Sequence, residues 1–168
     1  RIRRLDEHAE IIMFEKSPHV SYSNCGLPYH ISGLIENIED LVLMTPEVFK
    51  AQYNIEARVN TEVVSINREE KTIVVKDLNT GEESTEAYDK LVLSPGAKAI
   101  LPRSIQGIDN ENVFKVKNVV DIAALTEYVD NNQVEDIVVV GGGFIGVEVA
   151  ENFKLAGKNV TLVEAIDQ

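Results

Sequence analysis

The sequence predicts an α/β fold built on parallel strand–helix–strand units, and three observations predict it. The apolar run 137–140 (IVVV) leads into the glycine turn 141–146 (GGGFIG), a helical stretch from Phe144 to about Ala156, and a second strand-like run, Asn159–Val163. That is one complete strand–turn–helix–strand unit. Near the start, residues 10–14 (EIIMF) form a short apolar strand that ends on an acid, Glu15, just as Asn159–Val163 ends on Glu164. It reads as the second strand of another such unit. The composition, 44% hydrophobic over 168 residues with 10 Gly and 5 Pro, is that of a packed globular chain.

The elements follow in order. Residues 1–6 (RIRRLD) read as the end of a helix, and 16–24 as a loop with Pro18 and three serines. A short helix fits from Cys25 to about Gly33. Thr45 before Pro46 is an N-cap followed by proline at the first helical position, which predicts a helix from 46 to about 52. Strands are predicted at 62–67, 72–77 (TIVVKD) and 82–88, the last two joined by Asn79-Thr80-Gly81, a hairpin signal. Residues 91–93 (LVL) read as a short buried strand ending at Ser94-Pro95-Gly96. A helix from Asn118 to about Asn132 carries Val119, Ile122, Ala123 and Val129. The domain boundary is placed between Asn110 and Asn118, giving domains 1–112 and 113–168. The chain starts on Arg1 and stops at Gln168 just after a strand, so both ends read as cuts and both domains as incomplete.

Charge and cysteine content exclude several classes of function. Sixteen basic and 28 acidic residues give a net charge of −12, against nucleic acid or an anionic membrane surface as partner. The apolar runs are too short to span a membrane. A single cysteine excludes an internal disulfide framework, and His8, His19 and His30 lack ligand-like spacing, so no metal site is expected. The sequence shows no signal peptide, which makes a reducing cytoplasm the expected location.

The glycine turn fits G-x-G-x-x-G, a weak pattern alone. Here it follows an apolar strand, opens a helix, and is answered by Glu164 18 residues after Gly146. Gly141 permits the tight turn, Gly143 the approach of a pyrophosphate, and Gly146 close packing of helix on strand. Gly142 completes the turn, and the helix N-terminus offers free N–H groups to phosphates. Glu164 is expected to accept the adenosine ribose hydroxyls and to repel a 2′-phosphate, favouring NADH with NADPH as the alternative. The plain alternative for Glu164 is a solvated acid at a strand end, and alone Glu15 is more often a surface acid.

Ser21-Tyr22-Ser23-Asn24-Cys25-Gly26-Leu27-Pro28-Tyr29 is the other informative stretch. A helix N-terminus stabilises a thiolate, which can attack a disulfide or peroxide. Without a neighbouring cysteine, Cys25 would cycle through a mixed disulfide, a sulfenic acid or a persulfide. The alternative is a buried apolar filler.

Four segments together, SYSNCGLPYHISG, IIMFEK, YDKLVLSPGA and VVVGGGFIGVEVAE, resemble the pyridine nucleotide-disulfide oxidoreductases over the whole chain. The single-cysteine branch fits, and within it N-C-G-L-P-Y is similar to coenzyme A disulfide reductases and the related CoA-persulfide reductases. The resemblance implies two Rossmann-like dinucleotide-binding domains, an FAD domain (1–112) and an NAD(P)H domain (113–168). It makes Cys25 the redox-active nucleophile that forms a mixed disulfide with CoA. Ser21 and Asn24 fall at CoA contacts and Arg4 at the CoA phosphates, a solvated helix residue being the alternative for Arg4. Glu15 and Lys16 would hold the adenosine part of FAD, with the Val63 backbone near the adenine and Ser94, Pro95 and Gly96 beside the flavin. The family has A-T-G where this chain has S-P-G, which keeps a backbone role and weakens a side-chain one. Phe144, Ile145 and Glu148 would line the nicotinamide path. The resemblance further implies a homodimeric parent enzyme, with an FAD glycine turn before Arg1, and a second FAD segment and a dimer domain after Gln168. The competing reading is an NADH oxidase or peroxidase in which Cys25 passes through a sulfenic acid.

Overall fold

The structure, a computed structural model, describes residues 1–167. In chain order the elements are α1 (Ile2–Leu5), β1 (Ile12–Phe14), β2 (Ser21–Tyr22), a 3-10 turn (Asn24–Gly26), α2 (Leu27–Ile31), a second 3-10 turn (Ile38–Leu41), β3 (Val42–Met44) and α3 (Pro46–Tyr53). They continue with β4 (Glu56–Arg58), β5 (Thr61–Asn67), β6 (Thr72–Asp77), β7 (Glu83–Ala87), α4 (Val119–Asn131), β8 (Asp136–Val140), α5 (Phe144–Leu155) and β9 (Asn159–Val163). The chain is α/β, and it divides into two compact units: Arg1–Tyr22 with Val42–Gly96, and Ser23–Leu41 with the chain from Ala97 onward.

In the first unit β1 and β4 pair in parallel, Ile12 opposite Glu56 and Phe14 opposite Arg58. Strands β5, β6 and β7 form an antiparallel meander. Its central strand buries Ile73 and Val75, two residues apart and therefore on one face. The β6–β7 turn is the expected hairpin: Asp77 Oδ1 accepts the Asn79 and Thr80 amides, and Gly81 takes the left-handed conformation at φ 80°. Helix α3 starts as its sequence dictates, with Thr45 Oγ1 accepting the Val48 amide and proline in the first turn. Its far end is closed from a distance. The Arg3 guanidinium donates to the carbonyls of Tyr53 and Asn54, both at 2.8 Å, and to that of Glu7 at 2.7 Å. Helix ends leave carbonyls unpaired, and a planar five-donor fork can serve several at once. Arg58 links the β1–β4 sheet to the meander. It donates to Glu56 at 2.6 Å and to Glu86 on β7, and its guanidinium lies 5.5 Å from the Phe14 ring centre.

In the second unit α4 buries Val119, Ile122, Leu125 and Val129, the stripe expected of a helix with one face in the core. Asn118 caps it, its Oδ1 accepting the Asp121 amide at 2.9 Å. Helix α2 packs against both α4 and α5. Strands β8 and β9 pair in parallel from Asp136–Asn159 to Val140–Val163, and α5 packs on them with Val149, Asn152 and Phe153 buried. This is the predicted strand–turn–helix–strand unit.

Two expectations fail. The loop expected at 16–24 contains β2, which forms because Ser21 and Tyr22 find a partner in β3. Residues 91–93 form no strand, and Val92 and Leu93 are 70% and 68% exposed. An apolar run becomes a strand only when a neighbour completes its hydrogen-bond ladder, and among the described residues none pairs with it.

Candidate functional site

The glycine turn is built by its own backbone. Gly141 extends the sheet, its amide donating to the Val163 carbonyl at 2.8 Å, and then turns at φ 106°, a conformation that an L side chain rarely adopts. A Cβ on Gly146 would collide with the Gly141 carbonyl oxygen, so glycine is required where helix meets strand. Positions 141 and 143 face open space. Gly143 is the N-cap of α5 and supplies no side-chain acceptor, so the first-turn amides are left for an outside anion. A phosphate group fits this cradle.

Glu164, just past β9, closes the loop. Its Oε2 accepts the Gly142 amide at 2.6 Å, and its Oε1 accepts the Ala165 and Ile166 amides at 2.7 and 2.9 Å. The Gly142 amide first, then those of Ile166 and Ala165, holds this exposed carboxyl below the usual carboxylate range. Phe144 and Ile145, at the start of α5, are 95% and 60% exposed, and Glu148 one turn on is exposed too.

Cys25 belongs to the same compact unit as this loop. It is exposed, at the centre of the 3-10 turn Asn24–Gly26 that runs directly into α2, and Asn24 beside it is exposed as well. The turn is anchored from below. The Ser23 amide donates to the Leu41 carbonyl at 2.8 Å, and Leu41 is wholly buried. A Cβ on Gly26 would lie 2.9 Å from both Leu41 Cδ2 and Ser23 Oγ. The residue after the cysteine is therefore glycine for packing reasons, a role that sequence reasoning missed.

The remaining candidates lie in the first unit. Arg4 is exposed on α1, and Ser21 is half-buried on β2. Glu15 follows β1. Its amide donates to the Arg58 carbonyl, and its Oε1 accepts the Ser17 amide at 2.7 Å. This repeats the bond between Glu164 Oε1 and the amide two residues ahead. Lys16 Nζ meets Glu62 Oε1 at 2.7 Å, and Val63 pairs with Val75 in the neighbouring sheet. Ser94, Pro95 and Gly96 lie in irregular, exposed chain, with Gly96 at φ 68°. Glu15 and Lys16 thus sit at the end of β1 against the start of β5, and the two strand-end acids share one local geometry.

Known proteins resemble this chain in sequence and in fold. The chain is 39% identical over 163 residues to a coenzyme A disulfide reductase of Staphylococcus haemolyticus, covering 97% of this chain and 36% of that protein. It superposes on reduced CoADR-RHD of Bacillus anthracis with a TM-score of 0.93 at 48% identity, covering 97% of this chain and 29% of that one. A water-forming NADH oxidase of Lactobacillus brevis, in a structure with NADH bound, follows with a TM-score of 0.88 at 32% identity over 97% of this chain and 35% of that one. The chain thus spans about a third of the length of these relatives. Residues 1–168 match the pyridine nucleotide-disulphide oxidoreductase family from end to end, and the chain belongs to it.

Proposed function

We propose that the complete enzyme containing this chain uses NADH and FAD to reduce coenzyme A disulfide through Cys25. The observation that carries this reading is the exposed Cys25 on its 3-10 turn, in one compact unit with the glycine loop and Glu164. The named relatives support the substrate class. A homodimer in the cytoplasm, and domains 1–112 for FAD and 113–168 for NAD(P)H, belong to the same proposal. No helix among the described residues is long and apolar enough to cross a membrane.

Residues of this chain would divide the work as follows. The first-turn amides of α5, with Gly141 to Gly143, hold the NADH pyrophosphate, and Glu164 accepts its adenosine ribose hydroxyls. Phe144, Ile145 and Glu148 flank the path of the nicotinamide. Glu15, Lys16, the Val63 backbone and the turn Ser94-Pro95-Gly96 contact FAD, which when bound relays two electrons from NADH to the cysteine. Asn24, Ser21 and Arg4 hold CoA. Cys25 thiolate attacks one sulfur of the CoA disulfide. The S–S bond breaks, one CoA leaves as thiolate, and Cys25 keeps the other in a mixed disulfide. Two electrons then break that bond, and with proton uptake the second CoA leaves and the Cys25 thiolate is restored.

The similarity to a water-forming NADH oxidase favours a second reading, in which Cys25 cycles through a sulfenic acid. Mass spectrometry of the isolated complete enzyme separates them. A CoA adduct on Cys25 supports the reductase, and an oxygen adduct with no CoA overturns it. Cys25→Ser is expected to abolish CoA disulfide reduction while NADH still bleaches the flavin.

A further inference from the structure

We propose that Glu164 is a positioning residue for the glycine loop, beyond its part in holding the cofactor's ribose. The ribose role rests on the function proposed above; the positioning role rests on the loop alone. Two segments far apart in sequence meet at this one side chain. Its Oε2 takes the Gly142 amide at 2.6 Å, and its Oε1 takes the Ala165 and Ile166 amides at 2.7 and 2.9 Å. The carboxylate is thus a strut between the middle of the glycine loop and the turn that follows β9. Gly142 also packs on it, since a Cβ at that position would sit 3.2 Å from Oε2 and 3.3 Å from Glu164 Cβ.

The loop's other backbone bonds lie on either side of Gly142, from the Gly141 amide to the Val163 carbonyl and from the Val147 amide to the Gly143 carbonyl. Gly141 and Gly143 have open space where a side chain would be, and the helix that starts at Gly143 has no side-chain cap. Glycines are also the residues that lose most conformational freedom when fixed. Glu15, the other strand-end acid, shows which part of the clasp is generic. Its Oε1 accepts the amide two residues ahead, as Glu164 Oε1 does. That bond orients a strand-end carboxylate. The bond from Gly142 is what turns an oriented carboxylate into a brace.

The chemistry makes glutamine a poor substitute. Both carboxylate oxygens face N–H donors, so an amide in the same place must set its NH2 against one of them. Glu164→Gln therefore breaks one arm of the strut while keeping the shape, and Glu164→Ala removes both arms.

Reduced nicotinamide mononucleotide separates the two roles, because it keeps the nicotinamide and one phosphate but has no adenosine ribose. Flavin reduction by NADH and by this truncated donor is measured in the complete enzyme and in both variants. Amide hydrogen exchange across residues 141–146 is followed without nucleotide, and the bound flavin's visible spectrum reports folding. The expected result is faster exchange in both variants, with flavin reduction by the truncated donor slowed about threefold or more, the scale of one ordinary hydrogen bond lost at an exposed position. A loss with NADH alone, the truncated donor and the exchange being unchanged, overturns the positioning role and leaves the ribose role standing. Faster exchange with full activity toward the truncated donor also overturns it. A loss with the truncated donor equal to that with NADH keeps the brace and removes the ribose role.

Discussion

Gly26→Ala tests whether packing beneath Cys25 dictates the glycine that follows it. Gly26 has φ −81° and ψ −19°, ordinary helical values. On backbone grounds alone, alanine there should stabilise the protein by about 0.5–1 kcal/mol, by limiting the unfolded chain. The packing predicts the opposite sign. The new methyl would stand 2.9 Å from Leu41 Cδ2 and 2.9 Å from Ser23 Oγ, with Ser23 Cβ at 3.2 Å. The Ser23 hydroxyl can rotate away; its Cβ cannot. Leu41 is wholly buried and has nowhere to retreat without disturbing its neighbours. Overpacking of one methyl in such a place costs about 1–3 kcal/mol, which exceeds the backbone gain. The variant should unfold at lower temperature, followed by circular dichroism of the complete enzyme. Cys25 should alkylate at a changed rate because its turn has shifted. Leu41→Val removes the Cδ2 atom that the methyl strikes. In the double variant, part of the Gly26→Ala loss should be recovered, a coupling of about 0.5 kcal/mol or more. A Gly26→Ala protein as stable as the parent, or losses that simply add, would refute the reasoning.

Glu164→Ala should narrow the NADH-over-NADPH ratio of kcat/KM, because it removes the acid that disfavours a 2′-phosphate; an unchanged ratio would place the ribose elsewhere. Three amide bonds, that of Gly142 foremost, depress the folded pKa of Glu164, so its contribution to stability is complete above the unfolded carboxylate value of about 4.3 and is lost as pH falls through the lower folded value. The difference in thermal midpoint between the parent and Glu164→Gln should therefore be constant near neutral pH and shrink in acid, and a difference that grows in acid would reverse the sign argument. Arg3→Lys should lower stability by about 1 kcal/mol, since one ammonium cannot serve the carbonyls of Tyr53, Asn54 and Glu7 together; a midpoint equal to the parent's in denaturant titration would show the clamp to be idle.

How much of this was legible in the sequence follows from how local each cause is. The unit β8–α5–β9 was readable because each part carries its own signal: an apolar run, a glycine turn, a helical period, a second run. The cap at Thr45 was readable because the donor and acceptor lie three residues apart. Strands β2, β3 and β4 were not, since two or three residues are too few to show alternation, and each exists through its partner. Residues 91–93 are the converse: their apolar side chains promised a strand, and nothing in those side chains could say whether an edge waits beside them.

The candidate site divides along the same line. Spacing marked the glycine turn and Glu164, while Cys25 and Glu15 became candidates through their flanking residues and the family resemblance those carry. What fixes them in place comes from elsewhere in the chain. Leu41, under Gly26, lies 15 positions beyond it, and the Arg58 carbonyl that takes the Glu15 amide lies 43 positions beyond Glu15. Glu164 shows how the two levels combine. Its distance from the glycine turn marked it as a ribose acceptor, yet that same distance puts its carboxylate on the Gly142 amide across 22 residues. The residue proposed to meet the ribose stands against the loop proposed to meet the phosphates. An acid at that strand end therefore shapes the loop before any cofactor arrives, and its two roles separate only when a donor without the ribose is offered.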